Sequence, residues 1–303
     1  MIAAMTVVYA VVLGVVQGLT EFLPISSTAH LRIVPALLGR GDPGGAFSAV
    51  IQLGTLAAVV AVMWRDLRRL AGGCLTALAS GRPLATPESR TALAIVVCGL
   101  LFKDLIKGPL RSLESIIAAL VGATVVMAAA EIVARRRAGH GQHGRHGLDA
   151  VTFRDTLAMG CAQALALLPG TSRSGITIAT GMFAGLDRAT AARFSFLLSL
   201  PAITAAAVLE AVEERAAILG SPDARAAMIW GTATAALVGF LSIRWLLRLL
   251  ATRTLWPFVA YRLLLAALLA ALLAAGRLPE PAAAGLPGGG SERGSIPNRL
   301  SFL

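Results

Sequence analysis

Apolar runs alternate with short, arginine-bearing connections along residues 2–276, and two of the runs are broken from inside. Unbroken runs lie at about 45–64, 89–106, 114–134, 191–212, 226–247 and 255–276. Each approaches the ~20 residues that cross a bilayer as a helix, so six transmembrane helices are expected. The runs at 2–38 and 154–186 are interrupted at Pro24 and at Pro169–Gly170. Each has room for two half-helices joined by a polar turn, the pattern of a re-entrant hairpin. Proline removes a backbone donor, and such irregular backbone survives at membrane depth only when shielded by protein or facing a cavity.

The two halves resemble each other. LPISS at 23–27 corresponds to LPGTS at 168–172, and Gly14 and Gln17 precede the first as Gly160 and Gln163 precede the second. Downstream, AFSAVIQLGTLAAVV (46–60) matches RFSFLLSLPAITAAAV (193–208) in its Phe-Ser start and apolar run. One hairpin plus three spans per half makes an odd number of crossings, so the second half is inverted relative to the first. Broken helices in inverted repeats meet near the bilayer midplane. The expected fold is an all-α integral membrane protein with an inverted repeat of six spans and two re-entrant hairpins. It divides into a first repeat (1–134), a basic loop (135–153), a second repeat (154–276) and a disordered tail (277–303) rich in Pro, Gly and Ser.

Composition agrees with this class: 56% hydrophobic, 14% charged, mean hydropathy +0.76. The net charge of +11 does not indicate nucleic acid, because the basic residues lie mainly in the loops. Arg65, Arg68, Arg69, Arg82, Arg90, Arg135, Arg136, Arg137, Arg145, Arg154, Arg188, Arg193, Arg244, Arg248 and Arg253 fall on one face of the expected topology. The other holds fewer: Arg32, Arg40, Lys103, Lys107, Arg111, Arg215, Arg225 and Arg277. The richer face is then cytoplasmic, and the first hairpin opens outward. Three cysteines (Cys74, Cys98, Cys161), in or beside apolar stretches, argue against a disulfide framework. The HGQHGRH segment (140–146) reads as a solvated loop.

The candidate chemistry sits at the two breaks. An ionisable group at bilayer depth is costly and marks a working site. In QGLTEFLPISSTAHL (17–31), Gln17 and Glu21 are four apart and share a helix face. Their oxygens are hard ligands suited to Mg²⁺ or Ca²⁺, which fill their shells with water and substrate phosphates. Ser27 and His30, three apart, can interact if the segment after Pro24 is helical. Ser27 is then a candidate nucleophile, with His30 as its general base or as acid to a leaving oxygen; water activated by His30 is the alternative. Ser26 and Thr28 add hydroxyls beside them. In LPGTSRSG (168–175), Arg173 lies among Thr171, Ser172 and Ser174, with Gly170 and Gly175 allowing close backbone approach. A guanidinium fork above turn N–H groups is an oxyanion cradle, and phosphate is its natural ligand. The plainer alternatives are a structural Glu21–Arg173 pair and a structurally satisfied His30. A carboxylate with a cation on one hairpin and a phosphate cradle on the other suit phosphoryl transfer.

These motifs closely resemble the BacA-type undecaprenyl-diphosphate phosphatases. Gln17 to His30 matches the first family motif, (E/Q)GLTEFLP(V/I)SSTxH, and Pro169 to Gly175 matches the second, PGxSRSG. WPFVAYRLLLAALL (256–269) is similar to the family's last helix, with its Tyr261–Arg262 pair. The resemblance implies a multi-pass enzyme of the bacterial inner membrane, opening to the periplasm. It would remove the terminal phosphate of undecaprenyl diphosphate with a divalent cation, recycling the cell-wall lipid carrier, and its overproduction is linked to bacitracin resistance. Gln17 departs from the second Glu of many members, and Ala29 from a common Gly. The expected partners are the prenyl lipid, membrane lipid and, as an open possibility, a second copy of the chain. A polyprenyl-phosphate transporter or flippase is the competing function, since transporters often use inverted repeats with broken helices.

Overall fold

A computed structural model describes residues 5–40, 44–81, 113–166, 168–213, 215 and 221–275. The expected span at 89–106 and the tail at 277–303 lie outside the described residues. Among the described residues ten α-helices follow one another: α1 (Val7–Thr20), α2 (Ser27–Leu37), α3 (Gly45–Val62), α4 (Trp64–Ala79), α5 (Leu113–Gly139), α6 (Phe153–Leu165), α7 (Arg173–Phe183), α8 (Arg188–Glu213), α9 (Pro222–Thr252) and α10 (Trp256–Ala274). Among the described residues there is no strand. Four of the described helices, α5, α8, α9 and α10, are long and apolar enough to cross a membrane. The α3–α4 pair, bent by 76°, makes a fifth candidate. The chain is an all-helical, multi-pass membrane protein.

Local chemistry sets the helix boundaries. Thr6 caps α1 by accepting from the Tyr9 N–H at 3.3 Å. Thr152 and Asp155 form a reciprocal capping box on α6. Ser221 caps α9, whose first residue is Pro222, where a missing N–H costs nothing. The helix at Trp64–Ala79 was not anticipated. Its polar face carries Arg65, Asp66 and Arg69, so it lacks the apolar continuity that marks a span, and ion pairs Asp66–Arg193 (2.8 Å) and Arg69–Asp149 (2.7 Å) anchor it.

Both predicted breaks are present. Helix α1 stops at Thr20 and α2 starts at Ser27; α6 stops at Leu165 and α7 starts at Arg173. Ser26 (φ +75°) and Ser172 (φ +69°) cap the second half-helices and are the only non-glycine residues with positive φ among those described. The structural equivalence therefore pairs Ser26 with Ser172, one residue away from the sequence match of Ser27 with Ser172. The second turn has two residues, Gly170 and Thr171, between proline and capping serine, where the first has Ile25 alone.

Helix α9 packs against both α1 and α3. Without a hydrophobic driving force between helices in lipid, small residues that let backbones approach become the adhesive. A Cβ at Gly14 would collide with the Gly231 carbonyl, one at Gly54 with the Thr232 carbonyl, and one at Gly18 would lie 2.8 Å from the Gly239 nitrogen. At one end of the bundle, basic residues from α4, α5, α8 and the 140–147 loop converge. The wholly buried Glu131 on α5 accepts from Arg188 Nε at 2.9 Å, from Arg188 Nη2 at 2.5 Å, and from the Leu255 N–H at 3.2 Å. In the largely exposed 140–146 loop, Arg145 exchanges backbone hydrogen bonds with Gly185 and Asp187 and pairs with Asp155 at 2.8 Å.

Gly54→Ala is expected to destabilise the purified protein by about 1–3 kcal/mol, the usual cost of overpacking. The control is Gly72→Ala, where an added Cβ meets nothing within 4 Å. Equal melting temperatures for the two variants in detergent would contradict a close-packed α3–α9 seam.

Candidate functional site

The two hairpin turns meet on the side chain of Arg262, from α10, which is fully buried with a relative exposure of 0%. Its Nε donates to Thr124 Oγ1 on α5 at 2.7 Å. Nη1 donates to the Pro24 carbonyl at 3.3 Å, and Nη2 reaches the carbonyls of Leu120 (3.0 Å), Gly170 (3.1 Å) and Thr171 (3.1 Å). The broken backbone of both turns thus finds its donors in one guanidinium. Ser174 ties the turns a second time, donating from Oγ to the Leu23 carbonyl at 3.1 Å. Gly170, at φ +100°, lies where a side chain would collide with the Ile116 carbonyl, so it seats the second turn against α5.

Glu21 is the hub of the site. It lies directly after α1 and is buried, yet accepts three side-chain hydrogen bonds. Gln17 Nε2 donates to Oε2 at 3.0 Å, Ser27 Oγ donates to the same oxygen at 2.7 Å, and Arg173 Nη2 pairs with Oε1. The predicted meeting of the hairpins is therefore an acid, an alcohol and a guanidinium brought together from α1, α2 and α7. Arg173 is the more exposed partner: its side chain is 21% exposed against 2% for Glu21. The guanidinium faces outward while the carboxylate lies beneath it.

Ser27 and His30 do not pair. Although both lie on α2, His30 Nδ1 sits 2.7 Å from the Ser26 carbonyl and Nε2 sits 2.6 Å from the Tyr261 hydroxyl. As the residue capping α2, Ser26 directs its carbonyl along its own helix, and the His30 imidazole, one turn on, lies against it. The group hydrogen-bonded to Ser27 Oγ is Glu21 and not the expected His30. Tyr261, next to Arg262 on α10, joins the site. Its sequence signal was adjacency in the YR pair alone.

The remaining expected cradle residues have definite places. Ser172 Oγ caps α7 by accepting from the Gly175 N–H at 3.2 Å and lies 3.3 Å from Ser174 Oγ. Thr171 is buried with its carbonyl on Arg262, and Gly175 packs its Cα face toward Met127 and Ser172. Ser26 is buried and Thr28 exposed at the start of α2.

For a hard divalent cation, the donor set is small and of the right kind. Gln17 Oε1 is buried without a hydrogen-bond partner among the described residues. A carboxylate offers about four lone-pair positions, and three donors on Glu21 leave one open. No group of three His, Cys, Asp or Glu side chains able to hold a metal occurs among the described residues. The two oxygens suit an ion that takes most of its ligands from water and substrate phosphate.

Comparison with known proteins adds an independent line. Residues 10–268 match the family model of the bacitracin resistance protein BacA. Proteins named undecaprenyl-diphosphatase from Chlorobaculum tepidum and Chlorobium phaeovibrioides are each 46% identical over 281 residues, covering 90% of this chain and 99% of theirs. A further protein of that name from Prosthecochloris aestuarii is 42% identical over the same coverage.

Replacing Arg262 with Lys leaves one ammonium where a fork met five acceptors. The variant is expected to lose about 3 kcal/mol or more, because several buried carbonyls lose their donors. Thermal unfolding in detergent checks this; an unchanged midpoint would show that the turns hold together without Arg262.

Proposed function

The chain belongs to the bacitracin resistance protein BacA family, and we propose that it hydrolyses the terminal phosphate of undecaprenyl diphosphate. The product, undecaprenyl phosphate, re-enters the cycle that carries cell-wall precursors. The observation that carries this reading is the convergence of Gln17, Ser27 and Arg173 from separate helices onto the one buried carboxylate of Glu21. The identity of the relatives over nine-tenths of the chain supports it.

The geometry suits a two-step phosphoryl transfer. Ser27 Oγ attacks the terminal phosphorus while its proton passes along the existing 2.7 Å hydrogen bond to Glu21 Oε2. The bond to the bridging oxygen breaks, and the lipid monophosphate departs. Once protonated, Glu21 no longer carries the charge that holds Arg173, which frees the guanidinium for the oxygens of the transferring phosphoryl group. Water then cleaves the phosphoserine, and Ser27 recovers its proton from Glu21. Gln17 Oε1 and the open Glu21 lone pair are the protein ligands for Mg²⁺ or Ca²⁺, which when bound neutralises diphosphate charge. Thr171, Ser172, Ser174 and Gly175 complete the phosphate cradle around Arg173, with Ser26 and Thr28 on the facing turn.

In this reading the chain is two inverted repeats, each one re-entrant hairpin and three spans, in the bacterial inner membrane. The matched turn geometry at Ser26 and Ser172 supports the repeat. The gathering of arginines at one end supports an orientation with that end cytoplasmic and the first hairpin open to the periplasm. The prenyl chain lies along the lipid-exposed helices, where apolar burial supplies non-directional affinity.

Purified protein in detergent with Mg²⁺ or Ca²⁺ is expected to release inorganic phosphate from a polyprenyl diphosphate. Glu21→Ala, Ser27→Ala and Arg173→Ala are each expected to lower the rate by roughly 10²-fold or more, the scale of losing a nucleophile or a transition-state donor. Wild-type turnover by Ser27→Ala would mean that water attacks directly. No release by the wild type, with polyprenyl phosphate crossing vesicles instead, would favour transport. Chelation with EDTA is expected to stop the reaction and added Mg²⁺ or Ca²⁺ to restore it; indifference to chelation would remove the cation from the site.

A further inference from the structure

We propose that Tyr261 positions His30 and carries its proton, making the pair the base for the water that cleaves the phosphoserine. The inference rests on the phosphatase reading of this site and assigns the half-reaction that Glu21 leaves unserved.

Three observations carry it. First, a carbonyl oxygen only accepts, so the 2.7 Å approach of His30 Nδ1 to the Ser26 carbonyl places a proton on Nδ1. In the neutral ring the lone pair is then on Nε2, and among the described residues the group on it is the Tyr261 hydroxyl at 2.6 Å, which donates. Second, the two rings are stacked with centroids 5.7 Å apart and planes 10° from parallel, so Tyr261 fixes the imidazole orientation as well as its tautomer. Third, His30 is 8% exposed whereas Tyr261 is 41% exposed, so the phenol lies on the more open side of His30 Nε2. Ser27 is meanwhile committed to Glu21, which separates the two proton paths: one serves the serine, the other serves whatever approaches Tyr261.

The step balances as follows. The attacking water gives one proton to the Tyr261 oxygen as Tyr261 gives its own to Nε2, producing the imidazolium. The water oxygen bonds to phosphorus, the bond from phosphorus to Ser27 Oγ breaks, and that oxygen takes back the proton held by Glu21. Inorganic phosphate leaves, and the imidazolium returns its proton to solvent through the same hydroxyl. A phenol hydroxyl can accept and donate at once, which is why Tyr, and not Phe, is suited to this position.

The test is Tyr261→Phe, which keeps the ring and its stacking and removes only the hydroxyl. With polyprenyl diphosphate, kcat is expected to fall at least tenfold while kcat/KM stays within about twofold, because kcat/KM reports the first step alone. Rapid mixing should show one equivalent of lipid monophosphate released per enzyme before the slow phase, with radiolabelled phosphate retained on Ser27. A merely structural loss would lower kcat/KM in step with kcat and retain no phosphate, which would overturn the proposal, as would unchanged kcat. If Tyr261→Phe does not purify folded, Tyr261→Gln keeps a donor for Nε2 but relays no proton, and the same retained phosphate is expected. A wild type that releases no phosphate would defeat the phosphatase reading itself, an outcome distinct from any behaviour of the variants.

Discussion

The arrangement depends on one guanidinium. Two apolar runs are broken, and each break frees buried carbonyls that must find donors inside the protein. Arg262 supplies them to Pro24, Gly170 and Thr171 at once, from a helix belonging to neither hairpin. Among the described residues its charge has no carboxylate in contact and is met by carbonyl dipoles and the Thr124 hydroxyl. That leaves a net positive centre beneath two turns. Such a centre favours an anion at the tips, so the feature that stabilises the breaks also biases what binds there.

The glycine seam serves the same end from the other side. Helices α1 and α3 lean on α9 through Gly14, Gly18 and Gly54, at separations that a methyl group would forbid. This fixes the height and rotation of α1, and hence the position of Glu21 one residue beyond its end. The carboxylate therefore sits on rigid elements, and Gln17, one turn earlier on the same face, supports it directly. Positioning of this kind supplies much of the effect in phosphoryl transfer, where little covalent chemistry is left to the protein.

Much of this was legible in the sequence. The breaks at Pro24 and Pro169 announced themselves, because proline, hydroxyls and a charge interrupt apolar runs that are otherwise continuous. Glu21 and Arg173 stood out for the same reason. What the sequence hid follows from three dimensions. The pairing of Ser27 with Glu21, and not with His30, goes with His30 being held between the Ser26 carbonyl and the Tyr261 hydroxyl, which no side-chain spacing encodes. Tyr261 and Arg262 lie some 230 residues from the first motif in an unbroken apolar helix, where a YR pair gives no hint of which break it serves. Glu131 was passed over inside a run that read as a plain span, since its partners Arg188 and Leu255 are remote in sequence. Helix α4 escaped because an amphipathic surface helix lacks the apolar continuity used to find spans.

The Glu21–Arg173 pair is best understood by what it costs. Burying a carboxylate and a guanidinium removes both from water, and the attraction between them often no more than repays the loss. A pair kept only for stability would be better replaced by packed apolar side chains. Here the carboxylate also accepts from Ser27 and Gln17, so its charge stabilises three donors whose loss would follow its protonation. In the proposed reaction the pair is a switch more than a clasp. While Ser27 keeps its proton, Glu21 holds Arg173; when Ser27 gives the proton up in the proposed attack, the hold weakens and the guanidinium is released toward the new negative charge on phosphorus. On that proposal, the proton transfer that creates the nucleophile also delivers the group that stabilises its transition state, and one carboxylate at the meeting of the two turns does both.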